Sequence, residues 1–281
     1  MSLEFGVWSL ELGVWSYFKK VAMSRINSIL FLVIVIVSTS CQNNDIQEND
    51  AIFQTSTFDA LLAGNYEGTM SFEELSKNGG FGIGTFNQLN GEMLALNGNF
   101  YQIKADGMVY PVSPEMKTPF AVVTHFVADA SFTLTNELDF NQLNKLIDSI
   151  IPTKNIFYAI QVEGKFKQAI TRSVPKQSKP YPPLVEVVKE QPIFEFISET
   201  GTMVGFRVPE YFGGVNVPAY HYHFINEDKS RGGHLLNCII SEATISIDFI
   251  HETQISLNNS SNFYDLILTK DRSEEMEKVE R

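Results

Sequence analysis

The sequence predicts an α+β fold of two strand-rich halves, made of mixed and antiparallel sheets with a few helices. Short apolar runs separated by turn residues recur from residue 81 to residue 249, which is typical of strands. Helical periodicity is confined to a few segments that have recognisable start and stop signals. A proline-rich stretch, 175–183, predicts a linker, so we expect one half over 55–174 and the other over 184–281.

Two predicted helices have well-marked ends. Ser71 and Glu74 have the spacing of a capping box, so we expect a helix to begin there. In the segment 140–151 apolar residues recur at the helical period. Asp139 precedes this segment as an N-cap, and Pro152 follows it as a stop.

The predicted strands are separated by turn-forming residues. Asn97-Gly98 is a strong two-residue hairpin turn, and Glu163-Gly164-Lys165 also predicts a turn. We expect the strands at 81–86, 93–96, 120–126, 156–162, 166–172, 193–197, 203–208, 220–225, 235–240 and 243–249.

The composition restricts the classes of function. The chain has 281 residues, of which 44% are hydrophobic, so it can bury a sizeable core. Its net charge of −12 gives no general attraction to phosphate backbones, so we expect no nucleic-acid partner. Two cysteines, Cys41 and Cys238, are too few for a disulfide-stapled scaffold, and apolar neighbours predict that Cys238 is buried.

The N-terminal residues have the features of a leader rather than of a folded domain. A near-repeat at the very start suggests translated upstream sequence, with Met23 as the true start. The apolar run 29–37 follows basic residues and is too short to span a bilayer. We therefore predict a signal or lipoprotein leader over 1–40 and a polar tether over 41–54.

Small residues directly before Cys41 resemble a bacterial lipobox, in which the cysteine is lipidated and becomes the mature N-terminus. We accordingly expect an exported protein, held at the periplasmic or extracellular face of a membrane by the lipid on Cys41 alone. A cleaved secretory signal and an uncleaved anchor are the alternatives. Each of the three exports the domain.

Three of the five histidines occur close together in the sequence. His221 and His223 are two residues apart on a predicted strand, so their side chains project from the same face. His234 follows a polar, glycine-containing turn that can return the chain alongside them. Neutral imidazoles with no neighbouring cysteine suit Zn²⁺ or another divalent metal, and three ligands leave an open position, as in catalytic sites. Histidines without a metal are the alternative.

Glu227 supports a competing interpretation, because His221-x-His223-x-x-x-Glu227 has the spacing of a cupin metal motif. The glycines that such a motif requires are each displaced by one residue, at Gly214 and Gly233. Its second metal histidine should also lie much further along the chain. A solvated acid in a hairpin turn is the simpler interpretation of Glu227.

The histidine segment resembles the metal-binding segment of the α-acetolactate decarboxylase family. The resemblance is carried by YHYHFINEDKSRGGH (220–234), which VNVP (215–218) precedes. Three further segments are similar to that family, namely GFGIGTFNQLNGEM (80–93), NGNFYQ (97–102) and TPFAVVTHF (118–126). The resemblance covers nearly the whole chain beyond the predicted tether.

This resemblance implies site residues that their types alone would not identify. The zinc ligands that it implies are His221, His223 and His234. The catalytic residues that it implies are Thr85, Glu92, Arg172 and Glu280. Residue type alone would make Glu92 an acid at the flank of a hairpin, Arg172 a surface charge at the end of a strand and Glu280 part of a frayed tail.

The resemblance also implies a reaction. The substrate is 2-acetolactate, a 2-hydroxy-3-oxo acid, and the products are acetoin and CO₂. Zinc or another divalent metal can stabilise the enediolate as a Lewis acid, so no organic cofactor is required. Arg172 is suited to orient the carboxylate, Glu92 or a water that it positions to deliver a proton, and Thr85 to hold the substrate or that water.

The expected location of the site follows from the order of these residues. Glu92 and Arg172 precede the predicted linker and the histidines follow it, so we expect the site in a cleft between the halves. Homodimerisation is compatible with the sequence.

Two other functions stay open on the sequence alone. One is a cupin-like metal-dependent oxygenase or isomerase with Glu227 as a fourth ligand. The other is a non-catalytic lipoprotein that binds a small ligand or a metal. This second alternative is favoured if Arg172 and Glu92 prove remote from the histidines.

Overall fold

Two β-sheets form most of the computed structural model, which describes residues 51–280. The predicted leader 1–40, Cys41 and residues 41–50 of the predicted tether lie outside the described residues. Residues 51–54, also assigned to the tether, instead belong to the first strand, because Ile52 and Phe53 are buried apolar residues.

The first sheet has seven strands, and the prediction of a hairpin at Asn97-Gly98 is confirmed in it. In spatial order the strands are β15 (Glu252–Ser256), β1 (Ala51–Thr55), β8 (Ala121–Thr124), β3 (Phe81–Thr85), β4 (Glu92–Leu96), β5 (Asn99–Ile103) and β6 (Val109–Pro111). β15 and β1 pair in parallel and the other neighbours are antiparallel, so the sheet is mixed. Asn97 and Gly98 have φ values of 52° and 79°, as a two-residue hairpin turn requires. A separate small sheet pairs β2 (Met70–Ser71) with β7 (Lys117–Thr118).

The second sheet is antiparallel and is built around three long strands. Its strands are β9 (Ala130–Leu134), β10 (Leu138–Asp139), β11 (Phe157–Arg172), β12 (Ile193–Val208), β13 (Ala219–Asn226) and β14 (Gly232–Ile250). The spatial order is β10, β14, β11, β12 and β13, and β9 also pairs with β14. A short additional pairing between β13 and β14 closes the ring of β14, β11, β12 and β13.

The long strands show that three sequence predictions were wrong. β11 continues through the predicted turn at Glu163-Gly164-Lys165, and β12 and β14 each join two segments that were predicted as separate strands. In the sheet Gly164 lies opposite both Gly201 and Ala243. A Cβ at Gly164 would lie 2.2 Å from the Glu242 carbonyl oxygen. This glycine therefore permits close approach of neighbouring strands and does not make a turn.

The described residues contain six α-helices, and the two with predicted caps are confirmed. They are α1 (Phe58–Leu62), α2 (Phe72–Ser76), α3 (Phe140–Ile150), α4 (Leu184–Val187), α5 (Ser261–Tyr264) and α6 (Ser273–Glu280). Ser71 and Glu74 form a capping box at α2, and Asp139 and Gln142 form another at α3. Within residues 51–280, no helix is long and apolar enough to cross a membrane.

A buried apolar cluster lies between the two sheets. Ile83 and Leu94 of the first sheet and Phe206 and Ile225 of the second belong to it. The rings of Phe81 and Phe206 meet edge to face, with centroids 6.1 Å apart. The sheets therefore pack face to face, and side chains between them can come from either sheet.

The two sheets do not coincide with the halves predicted on either side of 175–183. β11 precedes this segment but pairs with β12 and β14, which follow it, while β15 returns to the first sheet beside β1. Pairing between distant strands, which chain order does not reveal, decides the division. The predicted class is confirmed: the fold is α+β, with mixed and antiparallel sheets and few helices.

Candidate active site and metal centre

The three histidines lie together where β13 and β14 pair. His221 and His223 lie on β13 two residues apart, as the sequence predicts, and His234 of β14 lies directly opposite His223. All three side chains are buried. One ring nitrogen of each histidine lies within 4.8 Å of the other two. The hairpin thus gathers three potential metal ligands at one point.

The protonation state of these histidines suits a metal. Burial, aided by the positive charge of Arg172, lowers the pKa of His221 to about 3. Burial also holds the pKa values of His223 and His234 well below the usual range. The rings are therefore neutral at pH 7, which is the form of imidazole that binds metals.

The orientation of His223 is fixed from the other sheet. Its Nδ1–H donates a hydrogen bond to the Met93 carbonyl oxygen of β4 at 2.8 Å. The lone pair of Nε2 is therefore left for a metal ion. Metal-binding histidines usually donate their other ring N–H in this way, which fixes the orientation of the ring. Three neutral nitrogen donors with no cysteine among them fit zinc or another borderline divalent ion.

Two carboxyl groups approach the histidines from distant parts of the chain. Glu92 Oε2, at the start of β4, lies 3.7 Å from His223 Nε2. Glu280 Oε2, at the end of α6, lies 3.6 Å from His221 Nε2 and 3.8 Å from His234 Nε2.

Burial changes the pKa of both carboxyl groups. It raises the pKa of Glu92 to about 8 and that of Glu280 to about 7, while the charge of Arg172 opposes both shifts. Without a metal, each of these acids can therefore hold a proton near neutral pH.

Arg172 connects three elements of the site. It is the last residue of β11 and lies opposite His234 in the sheet. Its Nη2 donates to His234 Nε2 at 3.2 Å and to the Val279 carbonyl oxygen of α6. The guanidinium is buried, so its charge acts on the site with little screening by solvent.

Thr85 lies at the end of β3, opposite Glu92 in the sheet. Its hydroxyl donates to the Gly91 carbonyl oxygen at 2.7 Å and so holds the connection that positions Glu92. Leu89 in this connection has a φ of 51°, a conformation that is costly for a leucine. Such strained residues cluster at functional sites.

The seven site residues that the family resemblance implies line one cavity of about 50 Å³, which we call the inner cavity. Arg172 and Glu92 are therefore not remote from the histidines. Apolar side chains complete the wall, among them Phe58, Leu61, Leu89, Phe120, Leu184 and Val279. The arrangement combines neutral metal donors, two acids and a buried cation around a space that admits a small molecule.

Sequence reasoning missed the elements that build this wall. α1 and α6 were not predicted, although Thr57 caps α1 and two glutamates, Glu274 and Glu275, begin α6. Glu227 is exposed in the turn between β13 and β14 and does not belong to the histidine cluster. The cupin-like interpretation therefore loses its fourth ligand.

Comparison with known proteins identifies the family. The sequence pattern described as alpha-acetolactate decarboxylase matches residues 52–270. The chain belongs to that family. Glu280 lies beyond the matched range, so its place in the site rests on the geometry of α6.

Relatives in this family are similar in sequence to most of this chain. The alpha-acetolactate decarboxylase of Methanosarcina mazei is 47% identical over 84% of this chain and 83% of its own length. That of Bacillus subtilis is 40% identical over 76% of this chain and 84% of its own length. The crystal structure of the enzyme from Bacillus subtilis strain 168 has a TM-score of 0.81 and 38% identity, covering 82% of this chain and 99% of that one. The prediction of an enzyme of the decarboxylase (carboxy-lyase) class is thereby confirmed.

Proposed function

We propose that this chain decarboxylates 2-acetolactate to acetoin and CO₂ and that it uses zinc or a similar divalent metal bound by His221, His223 and His234. The observation that carries the proposal is the convergence of these neutral imidazoles with Glu92 and Arg172 on one buried cavity. The family relationship supports the same substrate.

The reaction requires a place for an electron pair. When the bond between the carboxylate carbon and C2 of a 2-hydroxy-3-oxo acid breaks, the pair is accepted by the adjacent ketone as an enediolate. A bound divalent metal supplies a Lewis acid for the hydroxyl and carbonyl oxygens of the substrate, an effect worth several kcal/mol. A proton must then reach C2 to give acetoin.

Arg172 is suited to hold the carboxylate that leaves as CO₂. Its contacts to His234 and to the Val279 carbonyl oxygen both use Nη2. Nη1 and Nε are therefore not used by these contacts, and either can donate a hydrogen bond to a carboxylate. Because the guanidinium is charged at every relevant pH, it orients this group without taking part in proton transfer.

Glu92 is suited to deliver the proton. Burial raises its pKa to about 8, and a general acid works best when its pKa is near the working pH. Glu280 is a second acid on the same cavity, beside His221 and His234. Thr85 keeps Glu92 in position through the connection between β3 and β4.

The experiment that tests this proposal measures products. The purified protein, loaded with zinc, is incubated with racemic 2-acetolactate, and acetoin and CO₂ are quantified together with oxygen uptake. We expect acetoin and CO₂ in equal amounts with no oxygen consumed. No acetoin above the rate without protein would contradict the proposal, and oxygen consumption would favour the cupin-like alternative.

A further inference from the structure

A second cavity adjoins the candidate metal centre. Its volume is about 410 Å³, and it shares His221, His234 and Glu280 with the inner cavity. We call it the outer cavity. Its other polar lining residues are Asn141, Asn144, Tyr220, Tyr222 and Asn237. The candidate metal centre thus lies where two spaces of different size meet.

The outer cavity exists because β13 and β14 pair over a short stretch only. Residues 223–225 pair with 232–234, and the pairing does not continue beyond them. Residues 219–222 pair with β12 only, and Leu235 and Asn237 of β14 pair with β11. The space between the diverging strands runs from the N-terminal turns of α3 to two of the histidines.

The two cavities differ in chemistry. Thr85, Glu92 and Arg172 line the inner cavity and not the outer one. The inner cavity is otherwise walled by apolar side chains, whereas amides and tyrosines line much of the outer cavity. At about 50 Å³, compared with ~10–15 Å³ for one water, the inner cavity has room for the reacting part of a small molecule. The outer cavity offers a larger space directly beside the histidines.

Hydrogen bonds hold the wall of the outer cavity in place. Tyr220 Oη donates to Asp148 Oδ1 at 2.8 Å and lies 3.1 Å from the Asn144 carbonyl oxygen, a second possible acceptor. Arg207, buried on β12, donates from Nε to the same Asp148 oxygen at 3.0 Å. α3 is therefore fixed against β12 and β13, and its side chains are presented in a defined position.

Asn144 is the partly buried amide donor in this wall. The hydroxyl of Tyr222, a fully buried residue, donates to Asn144 Oδ1 at 3.4 Å, which leaves the hydrogens of Nδ2 for another acceptor. Asn144 is half-buried, whereas Asn141 and Asn237 are exposed. An amide donor can bind a carboxylate without placing a second cation beside the metal ligands.

We propose that the substrate reaches the metal centre through the outer cavity and that Asn144 is a positioning residue that donates to the substrate carboxylate as it enters. The inference rests on the decarboxylase function proposed above. It assigns to Asn144 a contribution to binding rather than to the chemical step.

The test compares Asn144→Asp and Asn144→Ala with Lys145→Ala, a change at the neighbouring exposed position of α3, which lines neither cavity. The aspartate has nearly the shape of asparagine but repels an anion. We expect Asn144→Asp to raise KM for 2-acetolactate at least ~10-fold and Asn144→Ala ~3- to 10-fold, with kcat within twofold and zinc content unchanged. Lys145→Ala should leave both constants within twofold.

Two inhibitors separate binding of the carboxylate from a general structural effect. 2-Hydroxy-2-methylpropanoate has the carboxylate but cannot decarboxylate through a ketone, and acetoin is neutral. In Asn144→Asp the inhibition constant of the anion should rise at least ~10-fold while that of acetoin stays within twofold. Equal increases for both inhibitors, or no increase for either, would overturn the inference.

Entry of the substrate through the outer cavity is tested separately from the role of the Asn144 amide. Asn141→Trp places a bulky side chain at an exposed position on the rim of the outer cavity, and Lys145→Trp places the same side chain outside it. We expect at least a ~10-fold lower kcat/KM for Asn141→Trp only. If Asn144→Asp loses zinc, Asn144→Ala and this pair decide the inference. Unchanged kcat/KM in Asn141→Trp would refute the route, whereas absence of acetoin with the unaltered enzyme would refute the proposed function instead.

Discussion

His223 and His234 lie directly opposite each other on β13 and β14, at the position where the pairing of these strands ends. One hairpin therefore sets the spacing of two candidate metal ligands, and the alternation of side chains along β13 adds His221 on the same face. The ring centroids of His221 and His234 are 4.9 Å apart. A single change of register would move His234 to the other face of the sheet and abolish the cluster.

A substitution at Gly233 tests whether the histidine cluster depends on the geometry of this hairpin. Gly233 has a φ of 153°, and a Cβ there would lie 2.5 Å from the Arg172 carbonyl oxygen. We expect Gly233→Ala to lower the free energy of unfolding by about 1–3 kcal/mol and to weaken zinc binding, measured by urea unfolding and zinc titration. Gly213→Ala is the control, because its nearest contacts would be 3.6 Å or more away. Equal stability of the two variants would contradict the argument.

His234→Ala should abolish turnover by removing a metal ligand. His234 is buried between His221 and Arg172, so its removal leaves the candidate centre with two imidazoles. We expect zinc content measured by elemental analysis to fall well below one ion per chain, with loss of acetoin formation. Full zinc content and full activity in this variant would show that the ligand assignment is wrong.

Arg172→Lys should behave as a severe change although it keeps the charge. Lysine lacks the planar guanidinium, whose several donors point in fixed directions. We expect zinc to be retained and kcat to fall at least ~100-fold in a steady-state assay of acetoin. A rate near that of the unaltered enzyme would remove Arg172 from the mechanism.

Glu92→Gln tests the proposed role of Glu92 as proton donor. Glutamine keeps the shape of the side chain beside His223 but cannot donate an acidic proton. The expected result is a loss of at least ~100-fold in turnover with zinc retained, compared under the same conditions as Arg172→Lys. Retention of full turnover would require another donor on the cavity, of which Glu280 is the first candidate.

The stability of the zinc-free protein should depend on pH in two directions. Burial lowers the pKa values of the three histidines from 6.5, so their contribution to stability is present above pH 6.5 and is lost as pH falls below it. Burial raises the pKa of Glu92 from 4.5 to about 8 and that of Glu280 to about 7, so their contribution is lost as pH rises through this range.

For the chelated protein we therefore expect the free energy of unfolding by urea to be largest near pH 6.5 and to fall at pH 5 and at pH 8.5. In Glu92→Gln the decline in stability on the alkaline side should be smaller, because one of the two carboxyl groups with a raised pKa is absent. A zinc-free protein whose stability is constant from pH 5 to pH 8.5 would contradict this assignment of charges.

We also predict that the mature protein begins at a lipid-modified Cys41. The small residues before this cysteine and the short apolar run before them favour such a leader. Mass spectrometry of the membrane fraction of the native organism should find an acylated N-terminal peptide. An intact N-terminus at Met1 or Met23 in soluble protein would contradict it.

Local signals in the sequence predicted much of the fold. The capping residue Asp139 and the apolar period of the helix that follows it located α3, because both effects act within a few residues. The two-residue spacing of His221 and His223 placed both on one face of a strand for the same reason. The shared face of this histidine pair could therefore be predicted from spacing alone.

Long-range pairing limited the rest. Gly164 has the local signature of a turn, yet its role is set by Gly201 and Ala243, which are remote in sequence. Glu280 reaches the histidines only because α6 packs against the core through Val279. From the sequence, only family resemblance indicated Glu280, and nothing indicated the outer cavity.

The most direct test of the central claim is a zinc titration of the zinc-free enzyme, followed by its rate of acetoin formation from 2-acetolactate. Three histidines that form one centre predict no activity without metal, a linear rise and a plateau at one zinc per chain. Full activity in the zinc-free enzyme, or a plateau unrelated to one ion per chain, would contradict the account.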